Sequence, residues 1–392
     1  VPQNLPTSPR VAIACGGTGG HLFPGLAVAE QLRQHGCNVL LLVSPKEIDQ
    51  VALKGSTGWR TVTLPAVGLT RGNHVAFLRG LVQSYRAARV LFKKERPDAV
   101  LAMGGFTSAP PILAGRRLGA AVFIHESNSI SGRANRWLSW FVNEAFIGFS
   151  DAAKRLHTRK TKTTGTPVRP QFKPAEPSAA RLALGLDAQH PVLLVTGGSQ
   201  GASGLNSLLM DALPRLAAAV PNLQLFHLSG PNDAVKVAEA CAAAKIKAIV
   251  HPFFADMHVA LAAATAAVSR AGASSLAELA AMRLPSVLVP YPAATDNHQY
   301  YNALAFEKTG AAVLLDQTTI PTETFAGRVI ELLQDESRRD KMRAALQSWH
   351  SPQAAQQIAE SILQTVTSRR PAPQAAGSAP SSGIQHHQSA LT

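Results

Sequence analysis

Short, almost wholly apolar runs recur along the chain, each giving way to glycine or a small polar residue before a longer stretch with helical spacing. In the first half VAIAC (11–15), NVLLLVS (38–44), DAVLAMGG (98–105) and AAVFIHE (120–126) read as strands, with helices from about Pro24 to His35 and near 109–118. The second half repeats the scheme. PVLLVTGG (191–198), LQLFHLSG (223–230), KAIVHPF (247–253), AAVSRAG (266–272) and PSVLVPYP (285–292) read as strands, with helices at 255–265 and 274–282. Strands without polar alternation are covered on both faces, as in parallel sheets whose crossovers are helices. The pattern predicts an α/β protein of two doubly wound, Rossmann-like domains in series.

An internal echo supports two domains. VAIACGGTGG and VLLVTGGSQGA share the order strand, double glycine, small polar residue, glycine, helix, at a spacing of about one domain. Gly165, Pro167, Pro170 and Pro174 punctuate the stretch between them. The expected partition is an N-terminal extension at 1–10, a first domain at 11–166 and a second at 167–345. A helical segment at 346–368 is expected to pack back toward the first domain, and a low-complexity tail at 369–392 to be disordered.

Composition narrows the class. Of 392 residues, 46% are hydrophobic and 16% charged, a globular balance at a length that suits two domains. The longest small or apolar run, VALAAATAAV (259–268), is far below the roughly 20 residues of a membrane-spanning helix. VPQNLPTSPR lacks the pattern of a signal peptide. Cys15, Cys37 and Cys241 have no metal-ligand spacing and suit a reducing cytoplasm. The net charge of +14 is one-sided: up to Arg169 there are 22 Lys and Arg against 8 Asp and Glu, whereas the remainder holds 16 of each. A basic first domain implies an anionic partner, nucleic acid or an acidic lipid surface.

Candidate chemistry gathers where strands end. GGTGGH (16–21) opens a helix but fails the dinucleotide pattern GxGxxG, because Leu22 stands where the third glycine belongs, and no Gly-Lys-Ser/Thr follows. It is either a structural turn or a loop whose free N–H groups meet an anionic or strongly polar ligand. His21, at the positive end of a helix dipole, is held toward its neutral, proton-accepting form, or else caps its own helix. SRAGASSLAE (269–278) offers a second helix start suited to a pyrophosphate, with Glu278 about one turn in to accept from a ribose diol. A plain serine cap with Glu278 in a capping box is the alternative. Asp296, Asn297, His298, Gln299 and Asn302 form a polar cluster fit for sugar hydroxyls, or a solvated loop. GGF (104–106) and HESN (125–128) also end strands, so His125, Glu126 and Asn128 are expected to face the same space as His21.

One further segment stands apart. RGNHVAFLRGLVQSYRAARVLFKK (71–94) carries Arg71, Arg79, Arg86, Arg89, Lys93 and Lys94 and no acid, with Val75, Phe77, Leu78, Leu81 and Val82 interleaved at roughly helical spacing. It reads as a contact for an anionic membrane, each cation adding about 1 kcal/mol. The alternative is a helix whose apolar stripe packs on the sheet. No nucleic-acid-binding module is visible and aromatics are few, so nucleic acid is not expected.

Taken in order, GGTGGHLFPGLAVAE, GGF with HESNSISGRAN, GTPVR, GGSQGA, SRAGASSLAELAAMRLPSVLVPYP and DNHQYYNA resemble the MurG glycosyltransferases, from about Val11 to Leu363. The resemblance implies a glycosyltransferase B fold with the donor in the second domain and the acceptor at the first. It implies inverting transfer of N-acetylglucosamine from UDP-N-acetylglucosamine to the C4 hydroxyl of a lipid-linked N-acetylmuramyl-pentapeptide. The enzyme would be peripheral, on the cytoplasmic face of the bacterial plasma membrane, and need no cofactor.

By motif matching, Thr18, Gly19 and Gly20 lie beside the diphosphate and sugar, Asn128 at the transferred sugar, and Arg169 and Ser199 on the nucleotide side. Phe254 falls at the uracil, the run Ala273, Ser274, Ser275, Leu276, Ala277 and Glu278 at diphosphate and ribose, and Gln299 at the sugar hydroxyls. His21 is the expected general base or orienter of the acceptor hydroxyl, with Glu126 the second candidate. Arg71, Val75, Phe77, Leu78, Arg79, Val82, Arg86 and Arg89 form the expected membrane contact. The chain departs from the family pattern at Phe106, Ser127, Thr166, Ala271 and His298, and the changes at Ser127 and His298 bear on the sugar side.

Attack of a hydroxyl on the anomeric carbon, opposite the departing UDP, needs a base for the proton and stabilisation of the diphosphate. Two glycine-loop helices can supply backbone donors, and no Asp-x-Asp pair stands where it would hold a metal, so metal-independent transfer is expected. The competing readings are a UDP-sugar transferase acting on another lipid, a UDP-sugar epimerase, and a non-catalytic nucleotide-sugar-binding or membrane scaffold protein.

Overall fold

The structure, a computed structural model, describes residues 8–46, 58–65, 73–198 and 202–369. Arg71, Ser199 and the 370–392 part of the tail lie outside the described residues. The strands β1 (Arg10–Ala14), β2 (Asn38–Val43), β3 (Arg60–Thr63), β4 (Ala99–Ala102), β5 (Ala121–Glu126), β6 (Glu144–Ile147) and β7 (Thr161–Thr163) form one parallel sheet, ordered β3-β2-β1-β4-β5-β6-β7. A second parallel sheet holds β8 (Val192–Thr196), β9 (Gln224–Leu228), β10 (Lys247–His251), β11 (Ala266–Ser269), β12 (Ser286–Leu288) and β13 (Val313–Leu314). Its order is β10-β9-β8-β11-β12-β13. The fold is therefore two doubly wound α/β domains.

Central strands are buried along their whole length, as β4, β5, β8 and β9 show, which is why their sequences carry no alternation. The strands that the apolar pattern does not announce are peripheral or short. RTVT of β3 lies at the sheet edge and is mostly exposed, so burial imposes no hydrophobic run on it.

Six helices bear on the candidate sites: α1 (Gly19–Gln34), α2 (His74–Glu95), α3 (Arg133–Leu138), α4 (Ala273–Met282), α5 (His298–Lys308) and α6 (Ala354–Arg369). α1 starts five residues earlier than Pro24 suggests. Pro24 lies inside it, where its missing N–H leaves only the Gly20 carbonyl without a donor. One face of the first sheet is covered jointly by α1 and α6, whose Leu22, Leu26 and Leu32 meet Ile358, Ile362 and Val366 over Val11 and Ile13. Each of those aliphatic side chains contributes about 1.5–3 kcal/mol when fully buried, so the last helix among the described residues completes the core of the first domain. The opposite face packs Ala88 and Phe92 of α2 on Ala12, Ala14 and Leu40.

In each sheet the strand order reverses once, between β1 and β4 and between β8 and β11. Connections leave to opposite faces at such a point and open a crevice beyond the carboxyl ends of the strands. The registers Ala14 with Ala102 and Thr196 with Ser269 bring those ends level. GGTGGH, GGF and SRAG leave three of these ends and Gly197 and Gly198 the fourth, so these glycines come together because of topology.

Candidate active site

The first-domain side of the cleft is built around His21. Thr18 is extended (φ −158°) and its carbonyl accepts the N–H groups of His21 and Leu22, both at 3.1 Å, which starts α1. Its hydroxyl does not cap the helix; Oγ1 lies 3.1 Å from Nδ1 of His21. The imidazole rests on the backbone of Gly104 and Gly105. A Cβ on Gly104 would stand 3.1 Å from Cδ2 and Nε2, and one on Gly105 would stand 3.0 Å from Cε1. Both glycines also have positive φ, 109° and 79°. GGF is thus the seat of the His21 ring.

Of HESN, His125, Glu126 and Ser127 are buried, and Asn128 is only partly so. His125 is fully buried and its Nε2 lies 3.1 Å from the Gly165 carbonyl, which can only accept. Nε2 therefore carries the proton, and Nδ1 accepts from the Ser127 hydroxyl at 3.1 Å. Burial pushes this histidine down to about 4, so it is neutral at physiological pH. Glu126 is also buried. Its Oε1 accepts from the N–H and the Nδ2 of Asn128 at 3.0 and 3.1 Å, and its Oε2 from Gly132 N and Asn135 Nδ2, both at 2.9 Å. Four donors fill the lone-pair directions of a carboxylate, which leaves none for an incoming hydroxyl. In this arrangement Glu126 braces the loop that carries Asn128.

On the second-domain side, α4 begins after Gly272, which takes the N-cap position, and no side chain caps its first turn. Ser274 and Ser275 are therefore inside the helix, and Glu278 is its sixth residue, too far along for a capping box. Ala273 and Leu276 are buried in the core; what this segment can offer a ligand is its leading N–H groups, the two hydroxyls and the Glu278 carboxyl. Burial raises that carboxyl to about 7, against the pull of the nearby Arg169. The Arg169 guanidinium lies 4.2 Å from the ring centre of Phe23 and 4.9 Å from that of Phe172. Desolvation lowers its proton affinity while Glu278 and Asp256 raise it. Phe23 belongs to α1, and α1 and α4 pack directly on each other. The helix that carries His21 and the helix that begins after Gly272 are thus held in contact.

Phe254 is half-buried, edge-on to Phe226 at 5.1 Å and stacked with His251 at 5.6 Å. Gln299 accepts through Oε1 from Ala271 N (3.2 Å) and Tyr291 N (3.0 Å), so its Nε2 is the end it can present to a sugar oxygen. The rest of the polar cluster divides. Asp296 pairs with Arg133 (3.3 Å) and Arg136 (3.1 Å) of α3, and His298 Nδ1 donates to the Thr295 carbonyl at 2.8 Å. Asn302 is wholly buried.

α2 presents two stripes. Ser84, Ala88 and Phe92 face the sheet, whereas Val75, Leu78 and Val82 are 81%, 59% and 45% exposed beside exposed Arg79, Arg86 and Arg89. Phe77 is half-buried. The packing stripe and the basic–apolar stripe are therefore different residues of one helix. No helix among the described residues is long and apolar enough to cross a membrane.

The pattern of the sequence did not point to Phe23 and Phe172 as the walls around Arg169, because no spacing rule links a helix near residue 20 to a linker near 170. The role of Gly104 and Gly105 had a signal, the paired glycines themselves.

Comparison with known proteins adds the family. The model of the glycosyltransferase family 28 N-terminal domain matches residues 11–147, and that of the family 28 C-terminal domain matches 192–360. Over 371 residues the chain is 35% identical to the UDP-N-acetylglucosamine–N-acetylmuramyl-(pentapeptide) pyrophosphoryl-undecaprenol N-acetylglucosamine transferase of Anaeromyxobacter sp. (strain K), covering 92% of this chain and 94% of that one. Among solved structures it is similar to MurG of Acinetobacter baumannii, with a TM-score of 0.70 at 30% identity over 91% of this chain and 99% of that one. A UDP-N-acetylglucosamine 2-epimerase superposes with a TM-score of 0.67 over 94% of this chain and 99% of that one. At 15% identity it shares the fold alone.

Proposed function

The chain belongs to glycosyltransferase family 28, and from that premise we propose how its cleft works: it moves N-acetylglucosamine from UDP-N-acetylglucosamine onto N-acetylmuramyl-(pentapeptide) pyrophosphoryl-undecaprenol, with inversion at the anomeric carbon. The uridine lies on the second domain, with Phe254 at the base and the Glu278 carboxylate accepting from the ribose diol. The diphosphate meets the uncapped N–H groups at the start of α4, the GGTGG backbone and the guanidinium of Arg169, all groups that favour a leaving anion. Gln299 Nε2 donates to the sugar, and Asn128 flanks it.

His21 takes the proton from the acceptor hydroxyl. For Nε2 to accept, the other nitrogen must carry the hydrogen, and Thr18 Oγ1, a hydroxyl that can accept as well as donate, is placed to receive Nδ1–H in that tautomer. Held on Gly104 and Gly105, the ring needs no rearrangement before the proton moves. The lipid tail of the acceptor stays in an anionic membrane against which the outward stripe of α2 rests.

The observation that carries this reading is the direct packing of α1, with His21 in its first turn, on α4, with its open N-terminus. It is tested by incubating the protein with UDP-N-acetylglucosamine and the lipid-linked muramyl-pentapeptide. A new β1→4 disaccharide and free UDP are expected. Donor consumption without acceptor, yielding an epimer, would contradict it.

A further inference from the structure

Asn302 of α5 has no exposed surface, and a buried carboxamide must find its partners inside the protein. Its Oδ1 accepts from Ser129 N at 2.8 Å, and its Nδ2 donates to Asn128 Oδ1 at 3.1 Å and to the Ala271 carbonyl at 3.1 Å. Two of these partners belong to the first domain and one to the second. The chain of bonds continues on both sides. Asn128 gives both its N–H and its Nδ2–H to Glu126, and the N–H of Ala271 goes to Gln299 Oε1. Glu126, Asn128, Asn302, Ala271 and Gln299 therefore form one continuous network across the domain boundary.

Arg133 and Arg136 also reach Asp296 across the boundary, the first from the rim and the second from a partly buried position. The Arg133 side chain there is 72% exposed, and such pairs hold weakly in water. The amide of Asn302 is dry and uses both of its donors and its acceptor, a geometry that neither aspartate nor leucine can reproduce.

We infer that Asn302 is a positioning residue for glycosyl transfer, the pin that fixes the Asn128 side chain against the β11–α4 turn so that the two halves of the sugar site meet in one register. It touches no substrate itself. Asn128, whose Oδ1 it holds, and Gln299, whose amide is locked on the same Ala271, are the groups through which it acts. The inference rests on the transferase reading above.

The test is a double-mutant cycle with the muramyl lipid acceptor, reading kcat and the dissociation constant of UDP-N-acetylglucosamine for wild type, Asn302→Ala, Asn128→Ala and the double variant. Misplacing a reacting group by about 1 Å costs on the order of 10²-fold, so Asn302→Ala is expected to lower kcat by about that factor. Donor affinity should stay within about threefold, because the uridine side is held elsewhere. In the Asn128→Ala background the same change should cost at most a few-fold, since the group it positions is gone. Asn302→Ser, which keeps a hydroxyl in the buried site, serves in its place if the alanine variant does not fold, with the same expectation. A kcat within about threefold of wild type, or losses that simply multiply in the double variant, overturns the inference. A wild-type protein with no transfer activity overturns the transferase reading, and this inference with it.

Discussion

At the scale of single residues the site is set by what surrounds each ionisable group. Glu278 is the sharpest case, because burial holds its carboxyl protonated up to about pH 7 while Arg169 draws it the other way. A raised carboxyl ionises in the folded protein only above its shifted value, so the unliganded fold loses stability as the pH rises from 4.5 through about 7. Both hydroxyls of the ribose diol can donate to separate oxygens only when the carboxyl is ionised, since the protonated form turns one oxygen into a donor. Binding of UDP-N-acetylglucosamine, whose diphosphate diester does not titrate in this range, is therefore expected to tighten between pH 6 and pH 8. Calorimetry on wild type and Glu278→Gln checks this; a flat wild-type profile, or a slope that survives in the glutamine variant, contradicts it. The positions of His21 and Glu278 near the starts of helices that leave strand ends were legible in the sequence, because each follows a strand–glycine–helix signal. The hydrogen bonds of Glu126 were not legible there: a carboxylate at the end of a strand looks the same whether it meets solvent or four N–H donors, and two of those donors, Gly132 and Asn135, come from the next helix and its approach.

At the scale of elements, α2 shows how one helix serves two purposes. Its 84–88–92 stripe makes the core, and its outward 75–78–79–82–86 stripe mixes aliphatic side chains with arginines. Periodicity alone could not separate these, since apolar residues occur on both. The proposed membrane contact rests on the outward stripe. Replacing Arg79, Arg86 and Arg89 together with glutamate removes about 1 kcal/mol per cation and adds repulsion, so partitioning onto vesicles rich in phosphatidylglycerol should fall at least 100-fold. Sedimentation with vesicles measures it, and undiminished binding contradicts the membrane role. α1 gives a second lesson in boundaries. A proline normally marks a first turn, but here the first turn is GGH, and Pro24 sits one turn further where it costs a single hydrogen bond.

At the scale of the whole molecule, the parallel order of both sheets and the reversal in each were legible, because uninterrupted apolar strands alternating with helices admit few other arrangements. What could not be read was contact across the cleft. That α1 would meet α4, that Phe23 would cover Arg169, and that Asn302 would join the loop after β5 to the end of β11 depend on how two domains sit together, and no local pattern encodes that. The resulting division of labour is the central claim: the second domain binds the donor, and the first supplies His21 to the chemistry. The most direct measurement is the pair of constants for His21→Ala, its kcat with saturating muramyl lipid and its dissociation constant for UDP-N-acetylglucosamine. The account predicts a fall in kcat of roughly 10²–10⁴-fold with donor affinity within about twofold of wild type. An unchanged kcat, or a loss that appears wholly in donor affinity, would contradict it.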